Sequence, residues 1–311
     1  MKKGSPVKGD FEGVFAVPPL ARNADGERTF NLEENLKIVG HIAKGGISRF
    51  IYGGNAFIYH VSLAEYEQLL EWSAALSDDL WIIPAAGPSF GRAIDQSSLI
   101  RKHHFPCVML LPCNDPRDPR GLEQGVREIA DRCETSVLLY LKEEDNFGAN
   151  REAGLDAVAR LVDDGVCVGI KYAVVRTDPT KDSYLESLLT RVDRGSVVSG
   201  IGERPAIDHM RAWQLPGFTT GSGCLAPRLS SDLFRQCVEE KWDDAARTRQ
   251  LFLSVEDLRD ALGPARVLHA ATEIAGIANT GPIPPFVSGL SLDQYHLLSE
   301  PARALLALNS R

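Results

Sequence analysis

The sequence predicts a (β/α)8 barrel, and three observations support that fold class. Eight short apolar segments recur about every 30 residues, with amphipathic helical patterns between them. No G-x-G-x-x-G follows the first segment, which disfavours the open, doubly wound sheet that has the same alternation. Beyond Pro227 only helical patterns continue. We therefore expect the barrel within residues 1–229, and a barrel-closing helix with a C-terminal helical region packed on the barrel over residues 230–311.

Local signals place the individual elements. Asn31 and Ser62 are each followed three residues later by a glutamate, Glu34 and Glu65, which is the spacing of a helix capping box. The predicted strands cover residues 11–17, 49–52, 80–84, 107–111, 136–140, 166–171, 196–199 and 217–220. The predicted helices cover residues 31–44, 62–76, 121–133, 151–164, 180–192 and 204–214, followed by the C-terminal helices 230–240, 242–262, 265–277 and 291–311.

Composition excludes several classes of protein. Hydrophobic residues make up 44% and charged residues 24% of the 311 residues, as in soluble globular proteins. A net charge of −8 argues against nucleic acid as a partner, and no apolar run reaches the length of a membrane helix or of a signal segment. The six cysteines form no C-x-x-C pair and suit a reducing compartment. We expect a cytoplasmic protein without metal or cofactor.

Lys171 is the residue that points most directly to chemistry. It ends the apolar run 166–171, and burial at a strand end would lower the pKa of its amine. A neutral amine attacks a carbonyl to form a Schiff base. Tyr140 ends a similar run one βα unit earlier, so parallel strands would present the amine and the phenol at one end of the barrel. The alternative is a lysine whose side chain simply reaches solvent.

The other predicted strand ends are rich in glycine and small polar residues. Glycine lets backbone N–H groups approach an anionic ligand, although it equally suits a tight turn. Because the carboxyl ends of barrel strands form the active site, we expect substrate-binding residues there. The candidates follow or end strands 2, 7 and 8, and they are Gly54, Asn55, Gly200 and Thr219. Glu203, after strand 7, is a second candidate proton carrier or an acid that favours a helix N-terminus.

Several of these segments together resemble the dihydrodipicolinate synthase and N-acetylneuraminate lyase family of class I aldolases. The resembling segments are Gly-Val-Phe-Ala-Val-Pro-Pro-Leu (13–20), Gly-Ile-Lys-Tyr-Ala (169–173), Ser-Gly (199–200) and Gly-Phe-Thr-Thr-Gly-Ser-Gly-Cys-Leu-Ala-Pro (217–227). The resemblance implies a barrel in which Lys171 forms a Schiff base with a 2-oxo acid and Tyr140 transfers the proton. It also implies a substrate carboxylate held by the loop after strand 2, and a homodimer or homotetramer.

The departures from the family pattern concern the substrate. The loop that usually carries two threonines and a glutamate reads Gly-Gly-Asn-Ala-Phe (53–57), so only Asn55 offers a polar side chain. The arginine usually found beyond the tyrosine is missing, and so is a tyrosine pair after strand 4, where Cys113 and Asn114 stand. These differences argue against synthesis of dihydrodipicolinate itself.

Three functions remain open from the sequence. The first is an aldolase or dehydratase that acts through Lys171 on a 2-oxo acid derived from a sugar acid. The second is a relative that has lost turnover and binds a metabolite as a sensor or scaffold, which the altered loop favours. The third is a barrel of unrelated chemistry in which Lys171 faces solvent.

Overall fold

Eight parallel strands close into a barrel in chain order in the computed structural model, which describes residues 1–7 and 9–309. The predicted barrel is therefore confirmed, and each predicted strand has a counterpart. The strands are β1 (Gly13–Ala16), β2 (Arg49–Tyr52), β3 (Trp81–Ala86), β4 (Cys107–Leu110), β5 (Ser136–Leu141), β6 (Cys167–Tyr172), β7 (Val197–Ser199) and β8 (Gly217–Thr220). Pairing of β1 with β8 completes the ring.

Helices surround the barrel and extend it at the C-terminus. The barrel helices are α1 (Leu32–Lys44), α2 (Leu63–Ala74), α3 (Phe90–His103), α4 (Pro119–Cys133), α5 (Arg151–Asp163), α6 (Ser183–Leu189), α7 (Glu203–Ala212) and α8 (Pro227–Val238). The C-terminal helices are α9 (Trp242–Gln250), α10 (Leu253–Leu262), α11 (Pro264–Ile274) and α12 (Leu292–Asn309). The predicted last helix ran to residue 311, and residues 310 and 311 lie outside the described part of the chain.

The helix starts largely follow the predicted caps. Ser62 and Glu65 form the complete reciprocal capping box of α2. The side chain of Asn31 likewise accepts a hydrogen bond from the backbone of Glu34. The Glu34 carboxylate does not return that bond, because it accepts from the backbone N–H of Asn279 instead. The second half of this predicted box is therefore replaced by a contact with the C-terminal region.

Two helical features differ from the sequence prediction. Helix α3 was not predicted, because its buried face includes the polar residues Gln96 and Ser97 and so lacks a clear apolar period. The predicted helix 242–262 is two helices, α9 and α10. The N–H groups of Leu251 and Phe252 bond to carbonyls three residues back, which breaks the α-helical ladder, and Phe252 is fully buried.

Aromatic side chains fill the part of the barrel interior that lies toward the amino ends of the strands. The rings of Phe11, Phe15 and Trp81 lie about 6 Å apart, with centroid distances of 6.0 to 6.2 Å. A Cβ at Gly169 on β6 would lie 2.5 Å from the Phe11 ring, so this glycine makes room for the cluster. Lys171 follows two residues later on β6 and therefore faces the interior above the cluster, toward the carboxyl ends of the strands.

The described residues also bear on three expectations, which concern membrane helices, cysteines and metal ligands. None of the helices within residues 1–7 and 9–309 is long and apolar enough to cross a membrane. All six cysteines are free, and five of them are buried. No group of three or more metal-binding side chains gathers among the described residues.

Candidate active site

Lys171 and Tyr140 are directly paired across neighbouring strands. They are register partners in the parallel β5–β6 ladder, so their side chains lie on the same, inward face. The Lys171 Nζ lies 4.3 Å from the centroid of the Tyr140 ring. The lysine is only 5% exposed. The structure thus brings the two predicted catalytic side chains together inside the barrel, with the amine over the face of the phenol ring.

The surroundings of Lys171 favour its neutral form. Burial, together with the positive charges of Arg259 and Lys142, lowers the pKa of the amine from 10.5 to about 7. A substantial fraction of the amine is therefore unprotonated near pH 7. An unprotonated amine is the form that attacks a carbonyl carbon.

The pKa of Tyr140 is shifted in the opposite direction. Burial raises the pKa of its phenol, and the neighbouring Tyr59 and Glu143 raise it further. The phenol therefore keeps its proton at neutral pH and can donate it. Tyr59 lies in the turn after β2, and no sequence pattern indicates that it is a neighbour of Tyr140.

The loop after β2 is a short 3-10 turn, Gly54–Ala56, that is anchored at two points. The Asn55 side chain is buried and donates a hydrogen bond of 2.7 Å to the backbone carbonyl of Val17. Phe57, in the left-handed region with φ 54°, packs against the ring of His269 on α11 with a centroid distance of 5.9 Å. Phe57 thus joins the loop to the C-terminal helices, and Asn55 joins it to the chain after β1.

The remaining two predicted binding residues lie at the ends of β7 and β8. A Cβ at Gly200 would lie 3.0 Å from Lys171 Cγ and 2.7 Å from the Tyr172 carbonyl, so the absence of a side chain there lets the loop lie against the lysine. Thr219 is buried and pairs with Phe15 on β1, which places it on the inward face of the barrel. Both residues therefore contribute to the interior that contains Lys171.

Glu203 belongs to a separate buried network. Its carboxylate accepts hydrogen bonds from the hydroxyls of Thr220 and Ser230. Glu256 on α10 accepts a bond of 3.2 Å from the Glu203 backbone N–H. Burial and the nearby Glu203 raise the pKa of Glu256 to about 8. Glu203 therefore joins α7, β8, α8 and α10, and its partners are these side chains rather than Lys171 or Tyr140.

Arg259 is a second residue near the site that the sequence did not indicate. It lies on α10, outside the strands, and its charge acts on both Lys171 and Cys224. Its Nη1 donates to the Ser222 hydroxyl at 3.3 Å, just beyond β8. Nothing in the local sequence distinguishes Arg259 from the other charged residues of an amphipathic helix, because its position depends on how α10 packs.

A cavity of about 490 Å³ lies near Tyr140 but does not enclose Lys171. Its lining includes Leu110 and Leu139, which are register partners in β4 and β5. Leu139 precedes the inward-facing Tyr140, so these leucines face outward, toward α3 and α4. The cavity therefore lies mainly between the barrel and its helices, and Tyr140 is the residue that it shares with the interior around the amine.

Comparison with known proteins supports the fold through solved structures. No protein-family model matches the chain, and no curated protein matches it. Dihydrodipicolinate synthase from Bacillus clausii superposes with a TM-score of 0.81 at 19% identity, over 98% of this chain and 100% of that one. YagE, an Escherichia coli K12 prophage protein of the dihydrodipicolinic acid synthase family solved with pyruvate, gives 0.78 at 16% identity, over 96% and 99%.

A third structure extends the comparison. PhdJ, solved with a substrate intermediate, superposes with a TM-score of 0.80 at 16% identity, over 99% of both chains. The match to all three covers the barrel and the C-terminal helices together. The chain therefore has the complete fold of the dihydrodipicolinate synthase structures, as the sequence resemblance implied.

Proposed function

We propose that this protein is a Schiff-base-forming lyase of the dihydrodipicolinate synthase family that acts on a 2-oxo acid. The observation that carries the proposal is the buried Lys171 amine, with its lowered pKa, beside Tyr140 at the carboxyl ends of the strands. A buried lysine is costly unless its neutral form has a use. The third function considered above, with Lys171 facing solvent, does not fit an amine that is 5% exposed.

The proposed chemistry follows from these two groups. The Lys171 amine attacks the keto carbon, and loss of water gives an iminium ion. In an aldol cleavage the bond between C3 and C4 then breaks, its electron pair forms the enamine, and the C4 fragment leaves as a carbonyl compound. In a dehydration a proton is lost from C3 to form the enamine, and the C4 hydroxyl then leaves as water. The Tyr140 phenol supplies or accepts the proton that this step requires. Reprotonation and hydrolysis of the Schiff base release the product and restore Lys171.

The loop after β2 is the proposed binding place for the substrate carboxylate. The turn uses the N–H groups of Ala56 and Phe57, which bond to the carbonyls of Gly53 and Gly54. The N–H groups of Gly54 and Asn55, at the start of the turn, have no partner within it, as at any helix start. Pyruvate bound to YagE supports a small 2-oxo acid as ligand. Gly200 and Thr219 complete the proposed site.

We extend the proposal to the finer features that the resemblance implied. The substrate is a 2-oxo acid derived from a sugar acid, and the reaction is an aldol cleavage or a dehydration. The protein acts in the cytoplasm as a homodimer or homotetramer.

A binding protein without turnover is the second candidate. It is favoured by the loop after β2, where the Asn55 amide is committed to Val17 and Phe57 is committed to His269. Such a protein would retain the barrel and bind a metabolite without forming the iminium.

Reductive trapping separates the two candidates. The protein is incubated with sodium borohydride and a panel of 2-oxo acids, and the labelled residue is located by mass spectrometry. A lyase of this class gives irreversible labelling of Lys171, and Lys171→Met gives none. If no acid in the panel labels the protein, while one of them still raises its melting temperature, the binding-protein candidate replaces the lyase.

A further inference from the structure

The guanidinium of Arg259 lies against the end of β8, in a space that only glycine leaves open. A Cβ at Gly221, the residue directly after β8, would lie 2.3 Å from Arg259 Nη2 and 2.6 Å from its Cζ. Gly221 has φ −104°, a conformation open to any residue, so the backbone itself does not require glycine. The close approach of the guanidinium is the feature that requires it.

The same guanidinium shares one short loop with Lys171. A Cβ at Gly200 would lie 3.0 Å from Lys171 Cγ, and a Cβ at Gly202 would lie 4.0 Å from Arg259 Nη1. The Cα atoms of residues 200 and 202 lie at most about 7 Å apart, the span of two extended steps. The loop after β7 therefore has the reactive lysine against one end and the arginine against the other.

The charge of Arg259 is not neutralised by a neighbouring carboxylate. Among the described residues, no carboxylate oxygen forms an ion pair with it, and its own hydrogen bonds are long, 3.3 Å to Ser222 Oγ and 3.4 Å to the Pro264 carbonyl. The acid close to it on the same helix is Glu256, which forms no ion pair with it; burial and the nearby Glu203 raise the pKa of this carboxyl group, and the charge of Arg259 opposes that shift. A half-buried guanidinium in this situation has donors available for an incoming anion.

We infer that Arg259 is a substrate-binding residue whose guanidinium binds an acidic group of the 2-oxo acid attached to Lys171. The inference rests on the proposed function and identifies a side-chain cation that the loop after β2 does not provide. A planar guanidinium pairs with a carboxylate through two parallel hydrogen bonds, which gives both orientation and affinity. The acidic group is either the carboxylate next to the keto carbon or a second one further along the substrate.

Trapping assays with a 2-oxo acid that has one carboxylate and with one that has two distinguish these two positions of the acidic group. The half-saturating concentration for borohydride labelling of Lys171 is measured with pyruvate and with 2-oxoglutarate. Arg259→Gln raises it about tenfold or more, the scale for losing a charged hydrogen-bonded pair. The comparison is made at pH 9, where the Lys171 amine is largely neutral, because Arg259 also lowers the pKa of that amine. A rise with both acids then places the carboxylate next to the keto carbon at Arg259, and a rise with 2-oxoglutarate alone places the distal carboxylate there. Unchanged values for both acids would overturn the inference.

Gly221→Ala tests the same contact without changing any charge. The added methyl group would displace the guanidinium, so we expect a similar loss of affinity in the wild-type background and no additional loss in the Arg259→Gln background. The matched control is Gly40→Ala on α1, where a Cβ meets nothing within 4 Å. Arg266→Gln on α11 controls for loss of a positive charge, because that guanidinium donates to the carbonyls of Ser288 and Gly289. An equal loss in either control would contradict a specific role for Arg259.

Thermal shifts separate this inference from the proposed function. If wild-type protein shows no labelling with either acid, the Schiff-base proposal fails, and the melting temperature is measured with 2-oxoglutarate and pyruvate without borohydride. A ligand-induced rise that Arg259→Gln abolishes would still support the anion site. No rise in the wild type, or an equal rise in the variant, would remove it.

Discussion

The amine of Lys171 lies over the face of the Tyr140 ring, 4.3 Å from its centroid. The ring excludes water from one side of the amine, which contributes to the burial that lowers its pKa. The ring and the hydroxyl of Tyr140 can therefore be tested separately, the ring for its effect on the lysine pKa and the hydroxyl for proton transfer.

Lys171→Met should abolish borohydride labelling and raise stability. The pKa of Lys171 is about 7 in the folded protein and 10.5 for an ordinary lysine, which is the value expected in the unfolded chain. At a pH below 7, folding must therefore either bury a positive charge or remove a proton from the amine. The variant should therefore gain free energy of unfolding on the order of a few kcal/mol at pH 6. The gain should shrink between pH 7 and 10.5. Thermal unfolding at several pH values measures it, and a destabilised variant would contradict the burial argument.

The labelling rate should depend on pH through Lys171. With a pKa of about 7, the neutral amine increases steeply between pH 6 and 8 and then levels off. Initial rates of pyruvate labelling across this range provide the measurement. A rate that continues to rise toward pH 10 would mean that Lys171 has an ordinary pKa in solution.

Tyr140→Phe keeps the ring under the amine and removes only the hydroxyl. Schiff-base formation should still occur, whereas turnover of a true substrate should slow by roughly 10², the scale of one general acid–base group. The lysine pKa, read from the pH dependence of labelling, should remain low because the ring still excludes water. If this variant turns over at the wild-type rate, another group carries the proton.

Glu256→Gln should change how stability depends on pH. The folded pKa of Glu256 is about 8 against an ordinary 4.5, so the folded state holds a proton that the unfolded state has lost between these values. Wild-type stability should therefore fall as the pH rises from about 4.5 to about 8. The variant keeps an oxygen that can accept from the Glu203 N–H and should lose this slope. Melting temperatures of the wild type and the variant are measured from pH 5 to 9. If both depend on pH in the same way, the raised pKa of Glu256 is contradicted.

Asn55 is expected to contribute to stability as well as to substrate binding. Asn55→Ala leaves the buried Val17 carbonyl without its side-chain donor and should cost about 1–3 kcal/mol. Replacement of Gly54 and Asn55 by threonines tests the substrate role. If that change improves labelling by pyruvate, the natural loop is adapted to a different acid. Complete labelling of the wild type by pyruvate would contradict that adaptation.

Local sequence determined the barrel and the two central side chains. Strand periodicity and capping residues act within a few residues of each other, so the strands, the starts of α1 and α2, and the positions of Lys171 and Tyr140 at paired strand ends could all be predicted. Helix α3 was missed because its buried face contains the polar residues Gln96 and Ser97, which interrupt the apolar period.

Tertiary packing decided the rest of the site. The break between α9 and α10 coincides with the burial of Phe252, and the second helix then brings Arg259 to Gly221, 38 residues away in sequence, and Glu256 to Glu203, 53 residues away. No local pattern encodes such a contact, because its energy depends on burial and charge that exist only when distant segments meet. The sequence could therefore indicate a reactive lysine, whereas only the folded chain shows which charges surround it.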